Sequence, residues 1–278
     1  MRILCVGLAT VDLVQRVTRM PGVNEKVQSA SVDVAAGGPA ANAAVTAAAL
    51  GADVTLVSVV GAHPLGDLVR ADLAAHGVTL IDAAPASDQP PPVSAVTVLD
   101  ASGERTIVSH NAGSRAVPVP ERGLPDADLT LVDGHHPALA MAAARAARRL
   151  LVDAGSWRPV FAEIFPHAEV VACSGDFRHP GAAGPGDAAT AAAVAAPHVV
   201  ITHGDEPVSW FSAGTSGLVP VPRVTAVDTS GAGDAFHGAL AIALTHGDDL
   251  QTAIRYASRV AATRVVHAGP RAWLSHLR

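Results

Sequence analysis

Residues 228–245 read DTSGAGDAFHGALAIALT, a glycine-rich turn followed directly by a run of helix-forming residues. Small residues at Gly231, Ala232 and Gly233 allow backbone N–H groups at the start of that helix to point toward an anion, which the helix dipole also favours. The pattern therefore predicts a phosphate-binding turn that needs no lysine side chain.

Asp234 lies beside this predicted anion site and requires an explanation, because a carboxylate repels a phosphate. Its natural task is to accept the proton of an attacking hydroxyl, as a general base does. The alternative is that Asp234 only caps the helix, which is the commoner role of an Asp in an isolated Gly-x-Gly-Asp turn. The turn by itself leaves both interpretations open.

Around this turn, apolar runs of strand length alternate with alanine-rich stretches of helix length. The alternation is typical of βαβ units around a parallel sheet, and continuous apolar runs indicate strands covered on both faces. We therefore predict a doubly wound, mostly parallel α/β core. Predicted strands cover residues 3–7, 54–60, 129–133, 150–153, 170–173 and 199–202, and predicted helices cover 40–50, 64–76, 138–149, 187–195, 233–245 and 250–266.

Two segments depart from this alternation of apolar and alanine-rich stretches. Residues 13–33 and 93–110 alternate apolar with polar, and the second contains a turn at residues 100–103, which predicts a β-hairpin. We predict that both segments leave the main sheet together as a small β-sheet lid, connected by the proline-rich residues 85–92. The alternative is that they are edge strands of the main sheet. The predicted core comprises residues 1–12, 34–92 and 111–278.

A second glycine-rich turn, GGPAAN at residues 37–42, leads into the first predicted helix. Its glycines allow a ligand to approach the backbone, and Asn42 supplies a donor and an acceptor that suit sugar hydroxyls. Asp12, placed at the end of the first predicted strand, lies where ligands bind in open α/β sheets. Each feature has an ordinary alternative: a tight turn for the glycines and a turn cap for Asp12.

Lys26 is the single lysine of the chain, and it follows no glycine-rich loop. A P-loop, whose lysine reaches the phosphates, is therefore excluded. The polar surroundings of Lys26, next to Glu25, also argue against Schiff-base chemistry, which needs a desolvated amine.

The overall composition argues against polyanionic partners. The net charge is −6, so the chain has no excess of cations to bind nucleic acid or acidic membranes. No stretch reaches the about 18 uncharged apolar residues of a membrane-spanning helix. Cys5 and Cys173 lie in apolar runs and are predicted as buried free thiols. We expect a cytoplasmic protein whose partners are small molecules.

Residues 37–42, followed by Leu-Gly-Ala at 50–52, Val-Gly at 60–61 and finally residues 228–236, resemble the two signatures of the PfkB (ribokinase-like) family of carbohydrate kinases. The order of the two signatures and the alternation of predicted strands and helices between them extend the resemblance across nearly the whole chain. The resemblance implies a ribokinase-like, Rossmann-like core with a β lid. It also implies phosphorylation of a sugar or similar alcohol by ATP with Mg²⁺.

The resemblance further implies a role for individual residues. Asp234 corresponds to the general base, and the backbone at Gly231, Ala232 and Gly233 corresponds to the anion hole for the transferring phosphoryl group. The implied substrate-binding residues are Asp12, Gly37, Gly38, Asn42 and His110. The implied nucleotide-binding residues are Thr202, Gly204, Thr229, Gly231, Gly233 and Gly269.

The resemblance also bears on metals. Asp228 and Thr229 correspond to a place where relatives hold a monovalent cation such as K⁺ through main-chain oxygens. Many relatives have an Asn-x-x-Glu motif tied to Mg²⁺, and residues 174–177, Ser-Gly-Asp-Phe, stand in its place here. Asp176 is the candidate substitute for the missing acid.

Three stretches favour a ketose-like substrate. Residues 103–111 are similar to the lid of ketohexokinase, and residues 37–41 with 236–238 are similar to bacterial sulfosugar and fructose kinases. A nucleoside kinase of the same fold and a non-catalytic sugar- or nucleotide-binding protein are the alternatives. We also expect a homodimer formed through the β lid, since an exposed sheet would bury apolar surface between two copies.

Overall fold

The computed structural model describes residues 1–112 and 117–277. The strands are β1 Arg2–Val6, β2 Thr10–Val17, β3 Ser31–Gly37, β4 Asp53–Ser58, β5 Val78–Asp82, β6 Val93–Leu99, β7 Arg105–Ser109, β8 Leu129–Val132, β9 Leu150–Ala154, β10 Val170–Ser174, β11 His198–His203, β12 Glu206–Ser212 and β13 Thr215–Val219. The helices are α1 Pro39–Ala49, α2 Pro64–Ala75, α3 Pro137–Ala146, α4 Phe161–Ile164, α5 Asp187–Val194, α6 Ala232–His246 and α7 Leu250–Val265, with 3₁₀ turns at Phe165–His167 and Ala272–His276.

The larger sheet is built around β1. Ile3 pairs in parallel register with Val54 of β4 on one side and with Leu129 of β8 on the other. The strand order is β13-β12-β11-β10-β9-β8-β1-β4-β5, parallel except for β12 and β13 at one edge. The predicted mostly parallel sheet is confirmed, although the edge strands β5, β12 and β13 were not predicted.

Apolar side chains cover both faces of this sheet. Ile3 and Cys5 of β1 belong to one buried cluster together with residues of α1, α6 and α7. Leu4 and Val6 belong to a second cluster with residues of α3, α4 and α5. Because successive side chains of a strand point to opposite faces, helices lie on both sides of the sheet, which is the doubly wound arrangement.

A separate four-stranded sheet has the order β3-β2-β6-β7. It confirms that the alternating segments leave the main sheet, and the edge-strand alternative is wrong. The hairpin between β6 and β7 turns through residues 100–103 as predicted, with the Gly103 amide donating to the Leu99 carbonyl over 2.8 Å. The first predicted segment, residues 13–33, is too short at both ends, since β2 begins at Thr10 and β3 ends at Gly37.

Asp12 was therefore misplaced in the sequence analysis. It lies within β2 of the small sheet, opposite Ala35, whereas the first strand ends at Val6. Gly7, directly after β1, leaves room for the carboxylate of Asp133, because a Cβ at this position would collide with it. The apolar run from Ile3 to Val11 concealed the break between β1 and β2.

Cys5 and Cys173 are buried free thiols, as predicted. Burial raises the pKa of the Cys5 thiol to about 12, with a smaller contribution from the charge of Asp133. Among the helices of residues 1–112 and 117–277, none combines the length and the apolar character needed to cross a bilayer.

Helices α1 and α6 pack so closely that Gly238 has no room for a side chain. A Cβ there would lie 2.5 Å from the Ala43 carbonyl oxygen and 2.8 Å from Cβ of Thr46. We expect Gly238→Ala to lower the free energy of unfolding by about 1–3 kcal/mol, because the backbone of α1 must shift. Urea denaturation measures the change.

Gly233→Ala is the matched control for that measurement. Gly233 belongs to the same helix, but its Cβ would meet open space. This substitution is expected to be neutral or to stabilise the helix by up to about 1 kcal/mol. Equal losses in both variants would contradict the packing argument.

Candidate active site

A cavity of about 340 Å³ lies between the small sheet and the N-terminal ends of α1 and α6. The small sheet contributes residues of β2, β6 and β7 to its wall. The cavity brings together residues that the sequence analysis placed in three separate motifs. The predicted site residues that line it are Asp12, Gly38, Asn42, Asp228, Gly231, Gly233 and Asp234.

Asp234 occupies the first turn of α6 and faces Asn42 in the first turn of α1. The Asn42 side-chain amide donates to Asp234 Oδ2 over 2.8 Å. The N-cap of α6 is Gly231, with φ of 68°, and the structure gives this helix no side-chain cap. The capping interpretation of Asp234 is therefore wrong, and its carboxylate is available to the cavity.

Arg271 fixes the orientation of Asn42. Its Nη1 donates to Asn42 Oδ1 over 3.2 Å, so the amide nitrogen of Asn42 faces Asp234. Arg271 is itself held by Asp72 of α2, to which Nε and Nη2 donate over 3.1 and 2.9 Å. A chain of hydrogen bonds thus runs from Asp72 through Arg271 and Asn42 to the carboxylate of Asp234.

The surroundings of Asp234 favour its protonated form. Burial is the largest cause and the charge of Asp153 adds to it, and together they raise the pKa of Asp234 to about 6 despite the hydrogen bond from Asn42. The charge of Asp12 raises this pKa further, whereas the charge of His237 lowers it. A carboxylate with a pKa near 6 is better matched to proton transfer near neutral pH than an ordinary aspartate.

His237 and Asp153 form a buried pair behind Asp234. His237 Nδ1 lies 3.1 Å from Asp153 Oδ2, and both side chains are less than a tenth exposed. Burial, the largest single cause, lowers the pKa of His237, but the charge of Asp153, the hydrogen bond to Asp153 and the charge of Asp234 together outweigh it, and the pKa is raised. The imidazolium form of His237 partly neutralises the two carboxylates.

Asp12 faces the cavity from the opposite wall. Thr10 Oγ1 donates to Asp12 Oδ1 over 2.6 Å, and Ser94 of the neighbouring strand β6 also lines the cavity. Burial raises the pKa of Asp12, against the hydrogen bonds from Thr10 and Ser94 and the charge of Arg271. Gly37 makes room for this carboxylate, because a Cβ at Gly37 would collide with it.

Of the remaining predicted substrate residues, Gly38 lines the cavity and His110 does not. Gly38, with φ of 93°, is the N-cap of α1, and a Cβ there would lie 2.5 Å from the Leu8 carbonyl oxygen. His110 is exposed just after β7 and is not among the lining residues, although Ser109 and Asn111 on either side of it are.

The predicted nucleotide residues Thr202 and Gly204 lie apart from this cavity, at the carboxyl end of β11. Thr202 pairs with Ser174 of β10, so residues 174–177 and 202–204 share one edge of the large sheet. Asp176 is exposed in the turn after β10. In the described ranges, no group of three or more His, Cys, Asp or Glu side chains is placed to hold a metal ion.

Asp228 is buried beside Gly269, whose amide donates to Asp228 Oδ2 over 3.2 Å. The Ser230 amide donates to Asp228 Oδ1 over 2.9 Å, and Arg264 Nη2 donates to Oδ2 over 3.1 Å. Burial would raise the pKa of Asp228, but the charge of Arg264 and the hydrogen bonds from Ser230 and Arg264 lower it below its ordinary value. The side chain of Asp228 thus holds the turn before α6 in place.

Several residues of the site were missed because their role depends on partners far away in the sequence. Arg271 and Asp72 are 199 residues apart, and no local motif marks either of them. For Asp153 a signal existed, since it lies near the carboxyl end of the apolar strand β9, at the edge where ligands bind in α/β sheets.

Comparison with known proteins agrees with this arrangement. A model described as "pfkB family carbohydrate kinase" matches residues 1–276, so the chain belongs to this family. Ribokinase of Bacillus subtilis is 28% identical over 97% of this chain and 94% of its own. The ATP-dependent ribose-1-phosphate kinase of Halopiger xanaduensis is 29% identical over 97% and 94% of the two chains.

Among solved structures, a putative ribokinase from Agrobacterium tumefaciens has a TM-score of 0.85 and 27% identity, covering 99% of this chain and 95% of its own. The predicted family and the predicted fold class are confirmed. The protein is a phosphotransferase with an alcohol acceptor, a sugar or nucleoside kinase of the ribokinase family.

The hydrogen bond from Asn42 lowers the pKa of Asp234, so its removal should raise that pKa. We expect Asn42→Ala to move the titration of Asp234 above about 6. Carbon-13 NMR of aspartate carboxyl groups follows the titration, with Asp234→Asn identifying the signal. Asn111→Ala, at another lining position, is the control and should leave it in place; a pKa that falls in Asn42→Ala would contradict the assignment.

Proposed function

We propose that this protein transfers the γ-phosphoryl group of ATP to a hydroxyl of a sugar bound between the small sheet and α1, with Asp234 as general base. The observation that carries the proposal is the position of the Asp234 carboxylate. It lies in the first turn of a helix whose N-terminus opens into a cavity walled by Asp12 and Asn42.

In this mechanism the sugar hydroxyl is held by polar groups of the cavity, with Asp12 accepting and Asn42 completing the contacts. The proton of the attacking hydroxyl moves to Asp234 as its oxygen bonds to the γ-phosphorus, and the bond to the ADP oxygen breaks. The glycine-rich N-terminus of α6, from Gly231 to Gly233, stabilises the negative charge of the transferring group.

The nucleotide is proposed to extend from α6 toward the carboxyl ends of β10 and β11. Thr202, Gly204, Thr229 and Gly269 are the proposed contacts on this side. Open α/β sheets bind ligands at this edge, which supports the placement.

Mg²⁺ fits a site of this kind when it arrives with the nucleotide, because it commonly binds through phosphates, waters and one or two carboxylates. Asp176 is the proposed carboxylate, acting indirectly, and its exposed position after β10 leaves it accessible. Bound Mg²⁺ would neutralise charge on the phosphates.

For the acceptor we propose a ketose-like sugar. The proposal rests on the similarity of residues 103–111 to the ketohexokinase lid, and this stretch forms β7 and its flanks in the wall of the cavity. The kinases similar to this chain carry names that point to ribose and ribose 1-phosphate, so these are the first comparison substrates. Among the described residues that line the cavity, Trp273 is the single Phe, Trp or Tyr. One such side chain offers little surface for stacking a nucleoside base.

The test is ADP release from MgATP with fructose, tagatose, ribose, ribose 1-phosphate and adenosine, for the wild type and for Asp234→Asn. We expect one sugar to support turnover, and Asp234→Asn to reduce that turnover at least ~10²-fold with sugar binding retained. In the wild type, turnover should rise with pH through about 6, because Asp234 accepts a proton only when ionised.

A stability measurement shows whether Asp234→Asn loses turnover through the chemical step or through unfolding. The native state binds the Asp234 proton more tightly than the unfolded chain does. Protonation of Asp234 therefore adds to the free energy of unfolding at low pH, and this contribution is lost as the pH rises through about 6. Asp234→Asn should therefore unfold at a higher temperature than the wild type at pH values above that. Near-normal turnover in this variant would refute the base assignment, and turnover with adenosine alone would refute the sugar.

We further propose that the small sheet mediates a homodimer. Its register aligns Val34, Leu13, Ala95 and Val108 in one row across the face away from the cavity. Val34 is 48% exposed and Val108 is 74% exposed, so the row presents apolar surface.

Sedimentation equilibrium tests this arrangement. We expect a dimer for the wild type and a monomer for Val108→Asp, because a carboxylate buried between two copies would be unpaired. Val119→Asp, an exposed apolar position outside the small sheet, is the control and should remain dimeric. A monomeric wild type would contradict the proposal.

A further inference from the structure

The carbonyl oxygens of residues 227–229, in the turn before α6, each accept a hydrogen bond from a different arginine. The donors are Arg16 to residue 227 over 3.3 Å, Arg264 to residue 228 over 3.5 Å and Arg105 to residue 229 over 2.9 Å. Arg16 and Arg105 belong to the small sheet, whereas Arg264 belongs to α7 of the core. These contacts concentrate positive charge on the backbone that leads into the candidate anion site.

Arg264 is the buried member of this group, at 3% exposure. Besides the Asp228 carbonyl, its Nη1 donates to the His267 carbonyl oxygen over 2.9 Å, and its Nη2 donates to Asp228 Oδ2 over 3.1 Å. The guanidinium thus joins two loops, the turn at residues 228–229 and the loop at 267–269. These are the segments that the family resemblance associates with a monovalent cation.

The residues present do not fit such a cation. A K⁺ ion held by main-chain oxygens needs several of them directed at one point, and the oxygens of residues 228 and 229 are each directed at an arginine instead. The guanidinium of Arg264 is charged at every accessible pH, so it would also repel a second cation placed against the same oxygens. No step of the proposed reaction therefore passes through potassium.

We propose that Arg264 takes the place of the monovalent cation in this protein. Its guanidinium supplies, as a permanent part of the chain, the positive charge that ties the two loops together beside the N-terminus of α6. The inference rests on the proposed function, because it concerns the loops that flank that site. It implies that folding, nucleotide binding and turnover do not require K⁺.

The first experiment uses the wild-type protein. Thermal unfolding, calorimetric binding of MgATP and turnover are each measured in KCl and in tetramethylammonium chloride at equal ionic strength. We expect the unfolding temperature, the affinity and the turnover to be the same in both salts. A potassium-specific increase in any of the three would overturn the proposal.

The second experiment removes the guanidinium. In Arg264→Ala, the carbonyl oxygens of residues 228 and 267 and the carboxylate of Asp228 lose their cation, so we expect a potassium-specific rise in the unfolding temperature that the wild type lacks. Arg259→Ala is the matched control, since Arg259 is an exposed arginine of the same helix. A folded Arg264→Ala that shows no greater response to KCl than the control would overturn the proposal.

The wild-type comparison decides the proposal if Arg264→Ala does not fold. The thermal readout also separates this inference from the proposed function. If no sugar supports turnover, the proposed function fails, while a potassium-independent wild type and a potassium-responsive Arg264→Ala still support the role of Arg264.

Discussion

The close contact between α1 and α6 is the constraint on which the candidate site depends. Asn42 and Asp234 are 192 residues apart, and they meet because alanine and glycine on the facing surfaces allow the two helix backbones to approach. Gly238 against Ala43 sets this distance in the middle of the contact. The packing of small residues thus brings the two signature motifs close enough for the hydrogen bond between Asn42 and Asp234 to form.

The electrostatics of the site follow from burying several carboxylates in a small volume. Asp72 and Asp228 are each paired with an arginine, and breaking a buried pair such as Asp228 with Arg264 typically costs about 3–5 kcal/mol. Within residues 1–112 and 117–277, Asp234 forms no salt bridge; it accepts from the neutral amide of Asn42, and the charge of His237 acts from behind. This difference in partners gives one carboxylate a raised pKa while its neighbour Asp228 has a lowered one.

Much of the fold could be predicted from the sequence, because buried parallel strands appear as continuous apolar runs and the small sheet as alternating ones. The turns at residues 37–42 and 228–234 could also be predicted, because their glycines and polar residues form local motifs. Asp12 was misplaced because a glycine break is invisible within the apolar run around Gly7. Arg264 and Arg271 could not be found, since what defines them is the position of a partner carbonyl or carboxylate on another segment.

The small sheet touches both halves of the candidate site. It carries Asp12 into the cavity, and its hairpin rests on the turn before α6 so tightly that a Cβ on Gly103 would lie 2.7 Å from the Val227 carbonyl oxygen. Displacing the sheet separates Arg16 and Arg105 from that turn, while Arg264 stays with the core. A ligand that holds the sheet in this position would therefore also favour this arrangement of the turn, and by thermodynamic linkage an anion on the turn would favour this position of the sheet. In the proposed reaction, the acceptor on the sheet side and the nucleotide on the turn side would thus bind with positive heterotropic cooperativity.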